Sequence, residues 1–338
     1  MSYVLGIETS CDDTSCSILK TPNQVLSNVV STQVDFHRRF GGVVPEVASR
    51  KHLEFLPLVV DEALREAGVD LSALNLIAVT AGPGLMGSLL MGVSWAKTVA
   101  LLHSLPLVGV NHLESHLFAS SLENEDLRPP FLGLIISGGH TELVAVEEWG
   151  KYRILGRTRD DAVGEAFDKV AKFLGLGYPG GPVIEKVSRR GDKDRFYFAG
   201  GLEKDRELDF SFSGLKTAVI RTRKTLEQID EQTIADLAAS FQESVIRTLV
   251  KKTLWALELT GFSTVVVGGG VAANRALREA MHAEAQTRNL RVFFPSLPFC
   301  TDNAAMVALC GFFYFTRGWE SSLEFEPNPR LALGELPV

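Results

Sequence analysis

The sequence predicts an α/β protein made of two similar halves, because the same order of elements occurs twice along the chain. Val4–Lys20 combines a strand, a small polar turn and a second strand, and Phe131–Glu147 repeats this layout over the same length. When these segments are aligned without gaps, the following pairs are identical: Leu5/Leu132, Gly6/Gly133, Ser10/Ser137 and Thr14/Thr141. Each segment is therefore expected to form a β-hairpin.

A second element also recurs after each hairpin. Leu76–Ala81 is expected to be a strand that leads into Gly82-Pro-Gly84 and a helix, and Thr264–Val267 leads into Gly268-Gly-Gly270 and a helix. This repeat predicts two α/β lobes around a central cleft, the architecture of the actin, sugar kinase and Hsp70 class, with a ribonuclease H-like sheet in each lobe. Glycine turns at such a cleft allow backbone N–H groups to approach a phosphate without obstruction by side chains.

The repeats also set the expected domain boundaries. The first lobe is expected to cover residues 1–112 and the second to cover residues 113–305, with a helical insertion at about 150–225. Residues 306–338 are expected to pack back on the first lobe.

Two helices and one turn are predicted between and after the hairpin elements. Apolar residues at helical spacing predict helices over Asp160–Leu176 and Ile234–Leu259, and Tyr178–Pro182 is typical of a turn.

Composition argues for a cytoplasmic globular protein. The chain has 338 residues, 46% of them hydrophobic and 22% charged, and it has neither a membrane-length apolar run nor the basic and apolar start of a signal peptide. Its four cysteines, at positions 11, 16, 300 and 310, include no C-x-x-C pair, which favours a reducing compartment. The net charge of −7 gives no overall attraction to nucleic acid.

Two histidines one helical turn apart indicate a metal site. Asn111 is a natural N-cap for a helix that begins at His112, and Glu114 stands where a capping box places an acid. His112 and His116 then lie on one face of that helix. Two imidazoles suit Zn or Fe, and Asp302 is the candidate third ligand.

Two other enzyme classes fit these motifs less well. Gly82–Gly87 matches the dinucleotide fingerprint G-x-G-x-x-G, but the acid that this fingerprint requires about 20 residues later is absent, since Gly82 to Leu113 contains no Asp or Glu. The pair His112 and His116 also invites a metalloprotease reading. Leu113, however, stands where a zincin has its general-base Glu.

Motifs along nearly the whole chain resemble one known family. They are Gly6–Asp13, Gly41–Glu46, Thr80–Leu85, His112–His116, Ser137–Thr141, Gly164–Lys169, Tyr178–Pro182, Asp209–Lys216, Gly268–Asn274 and Cys300–Asn303. In this order they are similar to those of the TsaD/Gcp family of tRNA threonylcarbamoyl transferases, members of the actin/Hsp70-like superfamily. The resemblance implies transfer of a threonylcarbamoyl group from threonylcarbamoyl-adenylate to N6 of the adenosine 3′ of the anticodon, in tRNAs that read codons beginning with A.

The same resemblance assigns roles to individual residues. It implies a divalent metal, Fe²⁺ or Zn²⁺, on His112, His116 and Asp302. The substrate-binding positions that it implies are Ile135, Ile136, Ser137, Gly138, Gly139, Asp168, Gly181 and Asn274. Glu185 stands where many members have Asp, so its contact with the nucleotide is an open point.

Proton transfer and partners complete the sequence-based expectations. Glu8, Asp12 and Asp13 in the first hairpin are candidates for the acceptor of a proton from the attacking amine. The resemblance implies a paralogous partner subunit and a small ATPase, which would share the RNA surface. A small-molecule kinase or ATPase of the same superfamily remains the alternative, together with the metalloprotease.

Overall fold

The chain divides into two units. The computed structural model describes residues 2–202 and 206–337. The first unit comprises Met1–Leu127 and Pro295–Val338, and the second comprises Arg128–Phe294. Each unit contains one five-stranded sheet.

The elements follow in chain order. The first unit begins with β1 (Tyr3–Glu8), β2 (Asp13–Lys20), β3 (Gln24–Thr32), α1 (Val34–Arg38), α2 (Pro45–Ala67), β4 (Leu76–Gly82), α3 (Met86–His103), β5 (Leu107–Asn111) and α4 (His112–Phe118). The second unit contains β6 (Phe131–Ile136), β7 (Thr141–Glu148), β8 (Lys151–Arg157), α5 (Val163–Leu174), α6 (Gly180–Ser188), α7 (Ser213–Thr225), α8 (Glu231–Thr260), β9 (Thr264–Gly268), α9 (Arg275–Arg288) and β10 (Arg291–Phe293). The chain then returns to the first unit with α10 (Ala304–Phe315). No helix among the described residues combines the length and apolarity that crossing a membrane requires.

The two sheets have the same topology. Their strand orders are β3-β2-β1-β4-β5 and β8-β7-β6-β9-β10, with an antiparallel hairpin pair followed by parallel strands in each. The hairpin registers also agree. Leu5 pairs with Ile18 in the first hairpin, and Leu132 pairs with Ala145 in the second. In the gap-free sequence alignment Leu5 corresponds to Leu132 and Ile18 corresponds to Ala145. The duplication predicted from sequence is confirmed at the level of individual residue pairs.

Helices cover both faces of the first sheet. Side chains alternate along a strand, so Leu5 and Ile7 of β1 face the apolar cluster under α2 and α3, while Gly6 faces α10. A Cβ on Gly6 would lie 2.2 Å from the backbone oxygen of Ala304, at the first residue of α10. The absence of a side chain at Gly6 therefore allows α10 to lie directly on the sheet.

The first unit extends further along the chain than the sequence indicated. The expected boundary after residue 112 lies at Leu127, because α4 packs against α10 and stays with the first sheet. After α10 the chain contacts both of the last strands of this sheet: Ser321 N donates to Leu107 O of β5 at 2.7 Å, and Asn328 N donates to Ala81 O of β4 at 2.8 Å.

Element bounds in the second unit differ slightly from expectation. The helix expected over Asp160–Leu176 is α5, and the one expected over Ile234–Leu259 is α8. The turn expected at Tyr178–Pro182 is shorter, because α6 already begins at Gly180. The Asp168 carboxylate accepts a hydrogen bond from Gly180 N at 2.6 Å and so supports this helix start from a distant position in the sequence.

The close contact at Gly6 leads to the first prediction. Gly6→Ala should destabilise the first unit by about 1–3 kcal/mol, because the added methyl group must displace the backbone of α10. Urea unfolding followed by circular dichroism measures this change. Gly214→Ala is the control, since a Cβ at this helical glycine meets no atom within 4 Å. Equal stability of both variants would contradict the packing argument.

Candidate functional site

The helix that carries both histidines starts where the sequence predicted. The side chain of Asn111, the last residue of β5, accepts hydrogen bonds from Leu113 N at 2.9 Å and Glu114 N at 3.2 Å. This N-cap satisfies two N–H groups of the first turn of α4 and sets the direction in which the helix leaves the sheet.

His112, His116 and Asp302 come together in the first unit. His116 Nε2 lies 3.2 Å from Asp302 Oδ1, and His112 Nε2 lies 3.7 Å from the same oxygen. Three candidate ligand atoms, one from each residue, lie within 4.8 Å of one another. This is the ligand set that the sequence predicted.

The state of His116 supports a metal ion at this position. Its imidazole is fully buried, and neither ring nitrogen makes a hydrogen bond. An unpaired polar group in the interior is costly, and coordination of a cation by Nε2 would satisfy it. Two imidazole nitrogens and one carboxylate oxygen form a donor set of Fe and Zn sites, so these residues can hold such an ion.

Glu8 fixes the orientation of His112 by a hydrogen bond. Its Oε2 accepts hydrogen bonds from His112 Nδ1 at 3.0 Å and from Thr80 Oγ1 at 2.7 Å, and its Oε1 accepts one from Ser10 N at 2.5 Å. Glu8 is fully buried. A hydrogen bond at Nδ1 directs Nε2 of His112 to the metal position, the usual arrangement behind a metal-binding histidine.

The charges of this pair depend on each other. Burial opposes the ionised form of Glu8, but attraction to His112 and the hydrogen bond between them hold the pKa of Glu8 below its ordinary value. Burial likewise opposes the charged form of His112, but Glu8 and Asp302 raise its pKa to about 9. The site therefore favours positive charge, either a proton or a metal ion, at His112 Nε2.

The structure gives Glu8 a positioning role toward His112, and its use as a general base stays a prediction. Both carboxylate oxygens are occupied by hydrogen bonds, and no part of the side chain is exposed. Asp12 and Asp13 in the same hairpin turn are only partly buried. Burial raises the pKa of both, and repulsion from Asp302 and Asp12 helps to raise that of Asp13 to about 7.

Glu114 has a different environment from the one expected. It was predicted as the acid of a capping box, but its side chain is fully buried and accepts a hydrogen bond from Tyr314 Oη at 2.6 Å. Tyr314 lies on α10, the helix that follows Asp302. This hydrogen bond therefore connects the helix of the two histidines to the helix that directly follows the third candidate ligand.

The predicted substrate residues all lie in the second unit, beginning with the turn after β6. Ser137 N donates to His140 O at 2.9 Å, and His140 N donates to Ser137 Oγ at 3.1 Å, which closes the turn. Gly138 and Gly139 at its tip are exposed, and a Cβ on either would meet nothing within 4 Å. The N–H of Ser137 is used within the turn.

The segment after β9 and the start of α5 both make close backbone contacts beside this turn. Gly269, at φ 95°, lies so close to the end of β6 that a Cβ would be 2.4 Å from Ile136 O. A Cβ on Gly164 of α5 would lie 2.7 Å from Ser137 O. The glycine turn after β9 and the start of α5 thus flank the turn formed by Ser137, Gly138 and Gly139.

Asp168, Gly181 and Asn274 are held by interactions within the protein. Asp168 binds the backbone of Gly180, which places it beside Gly181. Asn274 Nδ2 donates to Gln242 Oε1 at 2.9 Å, and its Oδ1 caps α9. The Asn274 side chain is therefore primarily a helix cap. Glu185 makes an ion pair with Arg189 at 3.0 Å.

Three polar residues at the metal site were not identified from the sequence. Ser10 Oγ lies 3.2 Å from His112 Nδ1, Thr80 binds Glu8, and Tyr314 binds Glu114. Ser10 and Thr80 lie within the motifs Gly6–Asp13 and Thr80–Leu85, so the sequence contained a signal for these two residues. Tyr314 lies in an apolar helix with no such signal.

Comparison with known proteins identifies the family. Residues 24–309 match the family model TsaD: tRNA N6-adenosine threonylcarbamoyltransferase. The protein of that name from Gloeobacter violaceus is 51% identical over 335 residues, covering 98% of this chain and 96% of the relative. The one from Synechococcus sp. (strain JA-3-3Ab) is 49% identical and covers 100% of this chain and 94% of the relative. The chain belongs to this family.

A solved structure supports the fold independently. T. kodakarensis HypF aligns over 94% of this chain with a TM-score of 0.63 and 15% sequence identity, and this chain spans 48% of it. At this identity the similarity concerns the fold alone. The actin/Hsp70-like class predicted from the duplicated hairpins is confirmed for this member of the TsaD family.

The ligand geometry leads to a prediction about metal content. His116→Ala should abolish stoichiometric binding of Fe²⁺ or Zn²⁺, because it removes one of three ligands. Elemental analysis and calorimetric titration measure the loss, and circular dichroism should show a folded chain.

A matched variant separates ligation from positioning. Glu8→Gln keeps all three ligands but weakens the acceptor at His112 Nδ1, and metal affinity should fall by about 10–100-fold without loss of stoichiometry. Full metal content in His116→Ala would refute the ligand assignment. Unchanged affinity in Glu8→Gln would refute the positioning role alone.

Proposed function

We propose that this chain transfers the threonylcarbamoyl group of threonylcarbamoyl-adenylate to N6 of the adenosine 3′ of the anticodon, in tRNAs that read codons beginning with A. The observation that carries the proposal is the family match over residues 24–309, together with the three converging ligands His112, His116 and Asp302. The exposed glycine turn at Gly138 and Gly139 supports an adenylate as the donor substrate.

Fe²⁺ is the proposed metal, with Zn²⁺ as the alternative. Two histidines and one carboxylate leave coordination positions open, as in non-haem iron sites and catalytic zinc sites. When bound, the ion would supply Lewis acidity and a template for the threonyl carboxylate. Glu8 and Asn111 maintain the orientation of the two imidazoles before any substrate arrives.

The donor phosphate is assigned to the turn after β6. The N–H groups of Gly138 and Gly139 are on its exposed tip, and no side chain at either position blocks approach. The adenylate phosphate is the leaving group, so donors there would stabilise charge as the carbamoyl–phosphate bond breaks. Asp168 and Gly181 are assigned to the ribose side, and Asn274 to the vicinity of the base.

Asp12 or Asp13 is proposed as the acceptor of the N6 proton. An exocyclic amine is a weak nucleophile, so loss of its proton must accompany attack on the carbamoyl carbon. The pKa of Asp13, raised to about 7, suits a group that exchanges a proton near neutral pH. The remaining work of the site is to position the two substrates.

A partner subunit and a small ATPase are proposed to act with this chain. The helices α2 and α3 pack against each other and carry large apolar side chains that are exposed: Leu53, Leu58, Leu101 and Leu102. Such a surface is typical of an interface with another protein. The net charge of −7 supports a shared RNA surface, since one acidic chain has little general attraction to tRNA.

We place the reaction in the cytoplasm. All four cysteines are free thiols, three of them buried, as is usual in a reducing compartment.

Reconstitution tests the transfer reaction. The chain, its partner subunit, the small ATPase and the adenylate-forming enzyme, with ATP, bicarbonate and labelled threonine, should incorporate threonine into a tRNA that reads A-starting codons. Incorporation should be lost in His116→Ala. A tRNA for codons beginning with another base is the control and should remain unlabelled.

Two other outcomes would replace the proposal. ATP-dependent phosphorylation of a sugar, with no threonine in tRNA, would favour a kinase. Cleavage of a protein by the metal-loaded chain, lost in His112→Ala, would favour a protease.

The nucleotide site leads to a separate prediction. Gly139→Val should weaken binding of a non-hydrolysable adenylate by at least about tenfold, because the branched side chain covers the exposed N–H groups, an effect of about 1.4 kcal/mol or more. Calorimetry measures the affinity. The fold should tolerate this change, since the Cβ position is open. Gly214→Val, at another glycine with open space at the Cβ position, is the control. Equal affinity in the unmodified chain, Gly139→Val and Gly214→Val would show that the phosphate does not bind at this turn.

A further inference from the structure

A short loop at the end of α1 exposes an aromatic ring and two arginines. Phe40 is 49% exposed, although large aromatic side chains usually pack in the interior. The guanidinium carbon of Arg39 lies 5.0 Å from the centre of its ring, and Arg38 and Arg39 are both exposed. We refer to Arg38–Gly42 as the arginine–phenylalanine loop.

The base of this loop is anchored. His37, at the end of α1, is fully buried; its carbonyl accepts hydrogen bonds from Phe40 N at 2.9 Å and Gly41 N at 3.1 Å. Its Nδ1 lies 3.3 Å from Val44 N. Hydrogen bonds to the buried His37 therefore fix the backbone at the base of the loop that exposes Phe40.

Both flanks of the loop attach to the turn that carries Asp12 and Asp13. Before it, Gln33 N donates to Asp12 O at 3.1 Å. After it, His52 of α2 binds Thr14 Oγ1 at 2.8 Å and Cys11 O at 2.9 Å through its two ring nitrogens. This turn follows Glu8, which binds the metal ligand His112. The segments before and after the loop are therefore hydrogen-bonded to the turn that adjoins the proposed reaction centre.

The surrounding segment is basic in an acidic chain. Residues 33–51 contain four basic and two acidic side chains, whereas the whole chain has a net charge of −7. One of the acids, Asp35, pairs with Arg38 at 2.9 Å on the exposed surface, where such a pair is weak and exchangeable. The loop thus presents positive charge and an aromatic face at the same place.

We propose that the arginine–phenylalanine loop binds the single-stranded anticodon loop of the tRNA, with Phe40 stacked on an unpaired base and Arg39 against the RNA backbone. This rests on the proposed function, which brings an adenosine in an RNA loop to the metal site. Unpaired bases are recognised by stacking on aromatic rings and on guanidinium planes, and phosphates by arginine. An aromatic ring beside the reaction centre would hold the neighbouring base while the target adenosine is extruded.

Binding of an isolated anticodon stem-loop, measured by fluorescence anisotropy at low salt, tests this surface. Phe40→Ala should weaken binding by about 5- to 100-fold, the value of one stacked base, with little change in salt dependence. Phe40→Trp should restore affinity, because it keeps the aromatic face. Arg39→Ala should weaken binding and lower the slope of log affinity against log salt by about 0.7, the value for one phosphate contact on a single strand.

Tyr197 provides the matched control. It is 80% exposed and lies under Arg247, with the guanidinium carbon 5.1 Å from the ring centre, but it is in the second unit. Tyr197→Ala should bind the stem-loop like the unmodified chain. Metal content should be unchanged in all of these variants, since none removes a ligand.

The outcomes separate this surface from the transfer activity. Equal binding by Phe40→Ala and the unmodified chain, equal losses in Phe40→Ala and Tyr197→Ala, or no binding by the unmodified chain would each overturn the proposed surface, whatever the reconstituted reaction does. If Phe40→Ala selectively loses stem-loop binding and the reconstituted reaction incorporates no threonine into tRNA, the proposed surface is supported and the transfer reaction is refuted.

Discussion

The first unit depends on one buried carboxylate. Glu8 ends β1, Thr80 lies in β4, and His112 follows β5, so the hydrogen bonds of Glu8 reach the ends of three parallel strands. An ionised group can remain fully buried only when such donors surround it. The same group therefore links the ends of the strands and sets the orientation of His112, a candidate metal ligand. Displacing β4 or β5 would remove one of the hydrogen bonds that stabilise this buried charge.

The two duplicated hairpins share a backbone arrangement but carry groups of opposite electrostatic character at their turns. In the shared register, Glu8 corresponds to Ile135 and Asp12 corresponds to Gly139. The first hairpin turn therefore concentrates carboxylates, which suit a cation, whereas the second exposes backbone N–H groups, which suit an anion. A metal and a phosphate need opposite electrostatic environments, and the proposed sites for both would use the same sheet topology.

Local patterns predicted the elements that local interactions stabilise. The hairpins follow from strand periodicity and turn residues, and the N-cap at Asn111 needs only its own first helical turn. The role of Glu8 could not be read from the sequence, because it depends on residues 72 and 104 positions away. Burial of Glu114 against Tyr314, across 200 positions, escaped prediction for the same reason.

Site residues differ in the same way. The spacing of His112 and His116 alone is equally typical of surface or capping histidines, and only the neighbouring motifs favour a metal site. The ligand role of Asp302, 186 positions after His116, depends on family resemblance. The start of α6 at Gly180 depends on the carboxylate of Asp168 on another helix. Side chains that stabilise distant backbone are the least predictable part of this fold, and in the second unit they coincide with the proposed substrate residues.

The order of ligands along the chain couples metal binding to the completeness of the fold. Two ligands precede the whole second unit, and Asp302 follows it in the segment that returns to the first unit. Asp302 lies two residues before α10, whose packing on the sheet requires a residue as small as Gly6 in β1. A ligand that binds only the folded state stabilises that state by mass action. A bound metal would therefore link α4 to the segment that leads into α10, and it would add to the hydrogen bond between Glu114 and Tyr314, so that the candidate metal site and the closure of the first unit would depend on the same contacts.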